Sequence, residues 1–194
     1  MPVRIDPDER RRHVTDAALR LIVAEGVAGV TFRKVAAEAR LNIGSVRHYF
    51  ADHETLVVAA VTAAGDRMGG RLSRLSAPER CGGDAARDHL LSVLDELVPL
   101  DEERRAEAVI LVEVIAASRT NPAFAPVVSR MAADLHAVLV EALSTIGTAR
   151  PETEAVRLAG LISGLSLNAV TPHGDVAPDA IRAVLRAHVA TLGR

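Results

Sequence analysis

The chain has 194 residues, 49% of them hydrophobic, yet it holds only three Phe, one Tyr and no Trp. A core made of Ala, Leu, Val and Ile favours helices, and this length admits one compact unit or a small domain joined to a larger one. A formal charge of -2 excludes a uniformly basic binder, and the lone cysteine, Cys81, excludes an intrachain disulfide.

The net charge hides an asymmetry. Residues 1–50 carry nine Lys or Arg against six Asp or Glu, whereas the remainder carries 14 against 19. A basic first quarter on an acidic body points to a localised polyanion-binding face. The charged opening from Met1 to Arg12 does not read as a secretory leader, and no uninterrupted apolar run approaches the ~18 to 20 residues that span a bilayer. A soluble cytoplasmic protein with no membrane partner is expected.

Residues 1–6 read as a loose arm. From Pro7 to Glu25, Val14, Ala17, Ala18, Leu21 and Ile22 repeat at helical spacing, and Gly26 stands where the helix should stop. The arginines from Arg10 to Arg12 suit backbone phosphates and plain solvation equally. Residues 31–50, TFRKVAAEARLNIGSVRHYF, read as two short helices joined by a tight turn. Thr31 caps the first, whose inward face is Val35, Ala36 and Ala39; Asn42 caps the second, which turns Val46 and Phe50 back onto the first. That spacing fits a helix-turn-helix, whose second helix enters the major groove with its first turn close to the duplex. Gly44 and Ser45 are small enough for the approach. Arg33, Lys34, Arg40, Arg47, His48 and Tyr49 surround the face with donors for phosphates and base edges, although an ordinary hairpin with solvated charges would hold the same residues.

Asp52 is placed to cap a fourth helix reaching about Leu75. Gly65, Gly69 and Gly70 each lower its stability by roughly 1 kcal/mol relative to Ala, so a bend or loosened turn is expected near Met68. Ser76 to Gly83 reads as a loop, and further helices are expected over 84–98, 101–118, 122–146, 152–170 and 178–192. Gly160 and Gly164 lie four apart on one helical face, with Leu161, Leu165 and Leu167 alongside, so another backbone can come close there, from this chain or from a second copy. Polar residues in apolar helices are the hints of a ligand pocket: Glu113 in AVILVEVIAAS and Asn168 in LSLNAV, with Met68, His89 and His136 as further candidates. A buried acid without a partner is costly, so Glu113 requires water, an arginine of its own chain, or a cationic or hydrogen-bonding ligand.

Patterns that carry catalysis are missing. No His has a Glu three residues before it, as a di-iron bundle requires, and GLSLN at 164–168 lacks the second glycine of a nucleophile elbow. Cys81 has no neighbouring His. Neither a catalytic site nor a metal or cofactor is expected.

At residues 31–50 the chain resembles the TetR family of transcriptional regulators. Thr31, Val35-Ala36, Ala39-Arg40-Leu41-Asn42, Gly44, Ser45-Val46-Arg47 and Tyr49-Phe50 follow the family pattern in register. Arg40 stands where the family has a turn glycine. If the turn keeps its left-handed residue, that side chain costs about 1 to 2 kcal/mol, and a slightly rebuilt turn is the alternative. Arg47 stands where many members have a phosphate-binding Tyr, and its charge preserves that contact. His53 stands for the Lys that opens the fourth helix, which makes its phosphate contact weaker or dependent on pH. The stretch LDELVPLDEERRAEAVILVEVIAASRTNPAFAPV is similar to the ligand-binding domain of the BetI-like subgroup, whose namesake responds to choline.

The resemblance implies an all-α fold: a three-helix helix-turn-helix domain over 7–53, then a helical ligand-binding and dimerisation domain over 54–194. It implies a homodimer joined through its last two helices at Gly160, Leu161, Gly164, Leu165 and Leu167, with double-stranded operator DNA and a small-molecule effector as partners. Ile43, Gly44, Ser45 and His48 would lie nearest the bases, Thr31, Arg33, Arg47, Tyr49 and His53 would hold phosphates, and Asn42 belongs to the same DNA-binding set. Quaternary ammonium recognition favours aromatic cages. Phe124 is the sole aromatic of the body, so choline is not expected as effector. The alternative to a ligand-responsive repressor is a helical interaction protein that has lost DNA reading, raised by Arg40 and His53.

Overall fold

A computed structural model describes residues 6–76 and 82–192, and these are all-α. The helices are α1 Pro7–Glu25, α2 Phe32–Glu38, α3 Ile43–Tyr49, α4 His53–Leu72, α5 Gly83–Glu96, α6 Glu102–Ser118, α7 Ala125–Ile146, α8 Pro151–Val170 and α9 Pro178–Val189, with 3-10 turns at Val27–Gly29 and Pro122–Phe124. Local chemistry sets most of these limits. Asp6 accepts from the Asp8 amide and Pro7 opens α1, while Gly26 ends it at φ 74. Pro151 and Pro178 open α8 and α9 in the position where a missing amide costs nothing. Cys81 and most of the expected loop before α5 lie outside the described residues.

The chain forms two compact units, one made of residues up to Asp66 with Val109–Val128 and the other of Arg67–Ala108 with Ser129–Arg194. This partition cuts the chain elsewhere than a division after residue 53, because α4, α6 and α7 each contribute to both units. In the first unit Val14, Ala18 and Ile22 of α1 are buried with Val35, Val46 and Phe50 of the two short helices and with Leu56 and Val57 of α4. The second unit has an aliphatic core from α5, α7, α8 and α9, including Leu90, Leu94, Leu139, Leu143, Leu158, Ile181 and Leu185.

The α4 helix runs through Gly65, Gly69 and Gly70 unbroken to Leu72, so the helical turn is kept at Met68. Its last turn is held from outside. Within the second unit the Arg71 guanidinium takes Glu107 as a fork, Nη1 at 2.9 Å and Nη2 at 2.6 Å, and reaches Glu96 at 2.8 Å and Glu103 at 3.2 Å. Arg104 bridges Glu96 at 2.6 Å and also pairs with Asp101. Burial pushes the Glu96 carboxyl up, but the hydrogen bonds and charges of Arg104 and Arg71 outweigh it and hold the group below its ordinary range. Asp101 is lowered too, first by the Arg104 amide.

By length and composition the stretch Pro122–Ile146 could cross a membrane. In this fold its inward positions Val127, Leu139, Ala142, Leu143 and Ile146 are buried in the protein, and Arg130 and Asp134 form an ion pair on its outside.

Candidate nucleic-acid interface

The reading motif is built from two capped helices and a turn. Thr31, in extended backbone, accepts from the Lys34 amide at 3.3 Å and starts α2. Asn42 Oδ1 accepts from the Ser45 amide at 2.7 Å and from the Ser45 hydroxyl at 3.1 Å, which starts α3. Asn42 and Ser45 are therefore engaged with each other. Between the helices the Leu41 amide donates to the Ala36 carbonyl at 2.8 Å and the Arg40 amide to Ala37 at 3.1 Å. This is the paired closure that ordinarily uses glycine, and Arg40 adopts it at φ 53. The turn is kept rather than rebuilt, and the strained residue carries a guanidinium.

The outward face of α3 holds Ile43, Gly44, Arg47 and His48, all exposed, with Tyr49 half-buried and edge-on to His48 at 5.1 Å between ring centres. Ile43 leaves 39% of its surface in water at the first turn, where an apolar side chain can meet a thymine methyl. Charge is sorted across this unit. Arg20 is neutralised by Glu38 at 2.5 Å and Lys34 by Glu25. Arg10, Arg12, Arg33, Arg40 and Arg47 have no carboxylate partner among the described residues, and Arg11 lies over the Phe50 ring at 5.2 Å. Thr31 and Arg33 are exposed at the start of α2, as a phosphate contact requires.

His53 does other work. Its Nε2 donates to the Val27 carbonyl at 3.2 Å, its ring packs edge-on against Phe124 at 6.3 Å, and Glu54 lies 4.0 Å from Nδ1. Asp52 beside it caps α4 by accepting from the Thr55 amide at 2.7 Å, a bond that lowers its carboxyl below the ordinary value and keeps it ionised. A ring tied inward and flanked by two acids is withdrawn from the phosphate set.

Of the five residues expected around a ligand, Glu113 lies in the first unit and Met68, His89, His136 and Asn168 in the second. The Glu113 carboxylate accepts from the Val27 amide at 3.2 Å in the first unit. His136 pairs with Glu152 at 2.7 Å on an exposed face, and Asn168 packs under Gly174, where an added Cβ would meet it at 2.5 Å. Residues 152 and 168 are 16 apart on α8, a separation of about 24 Å. Met68 and His89 are half-buried. Among the described residues no group of three His, Cys, Asp or Glu could hold a metal ion.

Of the expected interface set, Gly160 and Gly164 are exposed with nothing within 4 Å of a Cβ, and Leu167 is 42% exposed. Leu161 and Leu165 instead pack partly against the core of their own unit. Val156 and Val184, on α8 and α9, are 64% and 40% exposed.

A capped helix pair with a small-residue approach and an unpaired basic rim defines a helix-turn-helix DNA reader. Residues 86–194 match the family described as BetI-type transcriptional repressor, C-terminal, and residues 14–60 match bacterial regulatory proteins, tetR family. The HTH-type transcriptional regulator PksA of Bacillus subtilis (strain 168) is 28% identical over 197 residues, covering 99% of this chain and 94% of PksA. A transcriptional regulator from Rhodococcus sp. Rha1 is similar in structure with a TM-score of 0.84 at 26% identity, over 94% of this chain and 95% of its own. The multidrug binding protein EbrR, solved with proflavin, has a TM-score of 0.62 at 28% identity, over 93% and 99%. The chain belongs to the TetR family of DNA-binding transcriptional regulators, with a BetI-type C-terminal domain.

Proposed function

We propose that the chain is a homodimeric repressor, released from its operator when a small molecule binds the body that follows the reading head. The observation that carries the DNA contact is the sorting of charge: acids silence Arg20 and Lys34, while among the described residues Arg33, Arg40 and Arg47 have no carboxylate partner around α3. Ile43, Gly44 and His48 lie nearest the bases, with Asn42 and Ser45 shaping the turn, and Thr31, Arg33, Arg47 and Tyr49 hold the backbone. In this division 7–53 reads DNA and 54–194 senses and dimerises.

The dimer reading rests on α8 and α9. Gly160 and Gly164 each cost their helix about 1 kcal/mol relative to Ala, and among the described residues no other group lies within 4 Å of where a Cβ would stand. A second backbone approaching there, flanked by Val156, Leu167 and Val184, accounts for both the glycines and the exposed aliphatics. Two recognition helices would then enter successive major-groove turns about 34 to 36 Å apart.

For the effector, the likeness to EbrR supports a small organic ligand. Residues 67–108 and 129–194 contain no Phe, Tyr or Trp, which disfavours choline and any ligand needing an aromatic cage. A coupling of ~1 to 3 kcal/mol between effector and operator changes operator affinity about 5- to 150-fold. No covalent chemistry enters this scheme, and the protein works in the cytoplasm. The test is selection of bound duplexes from a random library. A near-palindrome with two half-sites one helical turn apart is expected; retention of unrelated duplexes alone would favour a helical interaction protein that no longer reads DNA.

A further inference from the structure

The segments around the reading motif close on themselves. His53, four residues after α3, donates to the carbonyl of Val27, four residues before the Thr31 cap, so one hydrogen bond of 3.2 Å encloses α2 and α3 entire. The amide of that same Val27 donates to Glu113 Oε2 at 3.2 Å. A single residue is thus held on one side by α4 and on the other by α6. Gly26 makes the room: with φ 74 it leads into the turn, and a Cβ on it would lie 2.5 Å from Glu113 Oε2. The turn Val27–Gly29 has no side-chain cap from its own neighbours, so Glu113 supplies the missing acceptor from 86 residues downstream. The connection between α6 and α7 adds two contacts, the Phe124 ring against His53 and Asn121 Nδ2 donating to Glu54 at 3.1 Å.

We propose that Glu113 is a positioning residue for DNA recognition: through the Val27–His53 clasp it sets the attitude of α2 and α3. The proposal rests on the chain being an operator-binding regulator. An acid repels phosphate and gains nothing from DNA directly, so its effect must pass through Val27. The α6 helix suits the task because it is uninterrupted from Glu102 to Ser118, with Glu103, Arg104 and Glu107 in the ion-pair knot at its start and Glu113 near its end. A hydrogen bond of 3.2 Å stands at the end of the normal range, so a shift of α6 by about 0.5 Å breaks it.

The test uses the full chain and a duplex enriched by selection with the wild type, read by fluorescence anisotropy across salt and by amide exchange. Glu113→Ala is expected to bind that duplex about tenfold more weakly with an unchanged salt slope, because no phosphate contact is lost. Binding to a shuffled duplex should stay within twofold, and exchange should rise at residues 26–30 while α5 and α9 stay protected. Glu113→Gln, whose amide oxygen still accepts from Val27, should recover to within twofold of wild type. Wild-type affinity in Glu113→Ala, or equal losses in the Ala and Gln variants, would overturn the proposal. If Glu113→Ala does not fold, Asn121→Ala replaces it, with a threefold loss at unchanged slope expected and no loss contradicting. If the wild type enriches no duplex at all, the regulator reading falls first and this proposal with it.

Discussion

At Arg40 a left-handed backbone carries a side chain where glycine would be free of strain. Replacing it with glycine should therefore stabilise the fold by about 1 kcal/mol and raise the thermal midpoint by about 2 to 4 °C, less the entropy glycine adds to the unfolded chain. A calorimetric midpoint several degrees lower would mean that the arginine packs against something that holds the turn. Arg47 and His53 separate just as cleanly. Arg47→Ala should weaken binding to every duplex and reduce the salt slope by about one unit, whereas His53→Ala should leave the slope alone. A slope change in the histidine variant would return it to the phosphate set. The two caps and the inward faces of the motif were legible in the sequence because Thr31 and Asn42 are satisfied within three residues. The roles of His53 and Glu113 were not, since their partner Val27 lies 26 and 86 residues away.

Helix limits follow from periodicity and caps, and the expected spans for α1, α2 and α3 agree with those found. The continuity of α4 does not follow from them. Three glycines predict a weak point, and Arg71, just beyond them, is bound to carboxylates 25 to 36 residues away. Truncating Arg71 to Ala leaves Glu107 without its counter-charge and Glu96 with Arg104 alone, and should cost about 3 kcal/mol, measured by denaturant unfolding. A loss under 1 kcal/mol would mean that water replaces the guanidinium. The same cluster fixes an acid limit. Glu96 and Asp101 titrate below their unfolded values of 4.5 and 3.8, so their contribution is present above those values and is lost as the pH falls through the lower folded ones. Unfolding across pH 5 to 2 should be steeper in the wild type than in Arg104→Met, which removes a counter-charge from both. Parallel curves would place the acid sensitivity elsewhere.

At the scale of the whole molecule, the proposed dimer places α8 and α9 against a second copy. Gly160→Arg adds a side chain into open space in one chain and into the partner in the dimer, so it should yield folded monomers by sedimentation and lose operator affinity. A dimer that survives the substitution would move the interface off this face. A glycine pair at helical spacing can be read from sequence, but which leucines face outward cannot, and Leu161 and Leu165 turn toward their own core. The most direct measurement is fluorescence anisotropy of the intact protein on a selected operator and on its shuffled counterpart, titrated across salt. A preference of about a thousandfold or more that persists at moderate salt is predicted for a sequence-reading regulator. Weak, equal and strongly salt-dependent binding to both duplexes would contradict it.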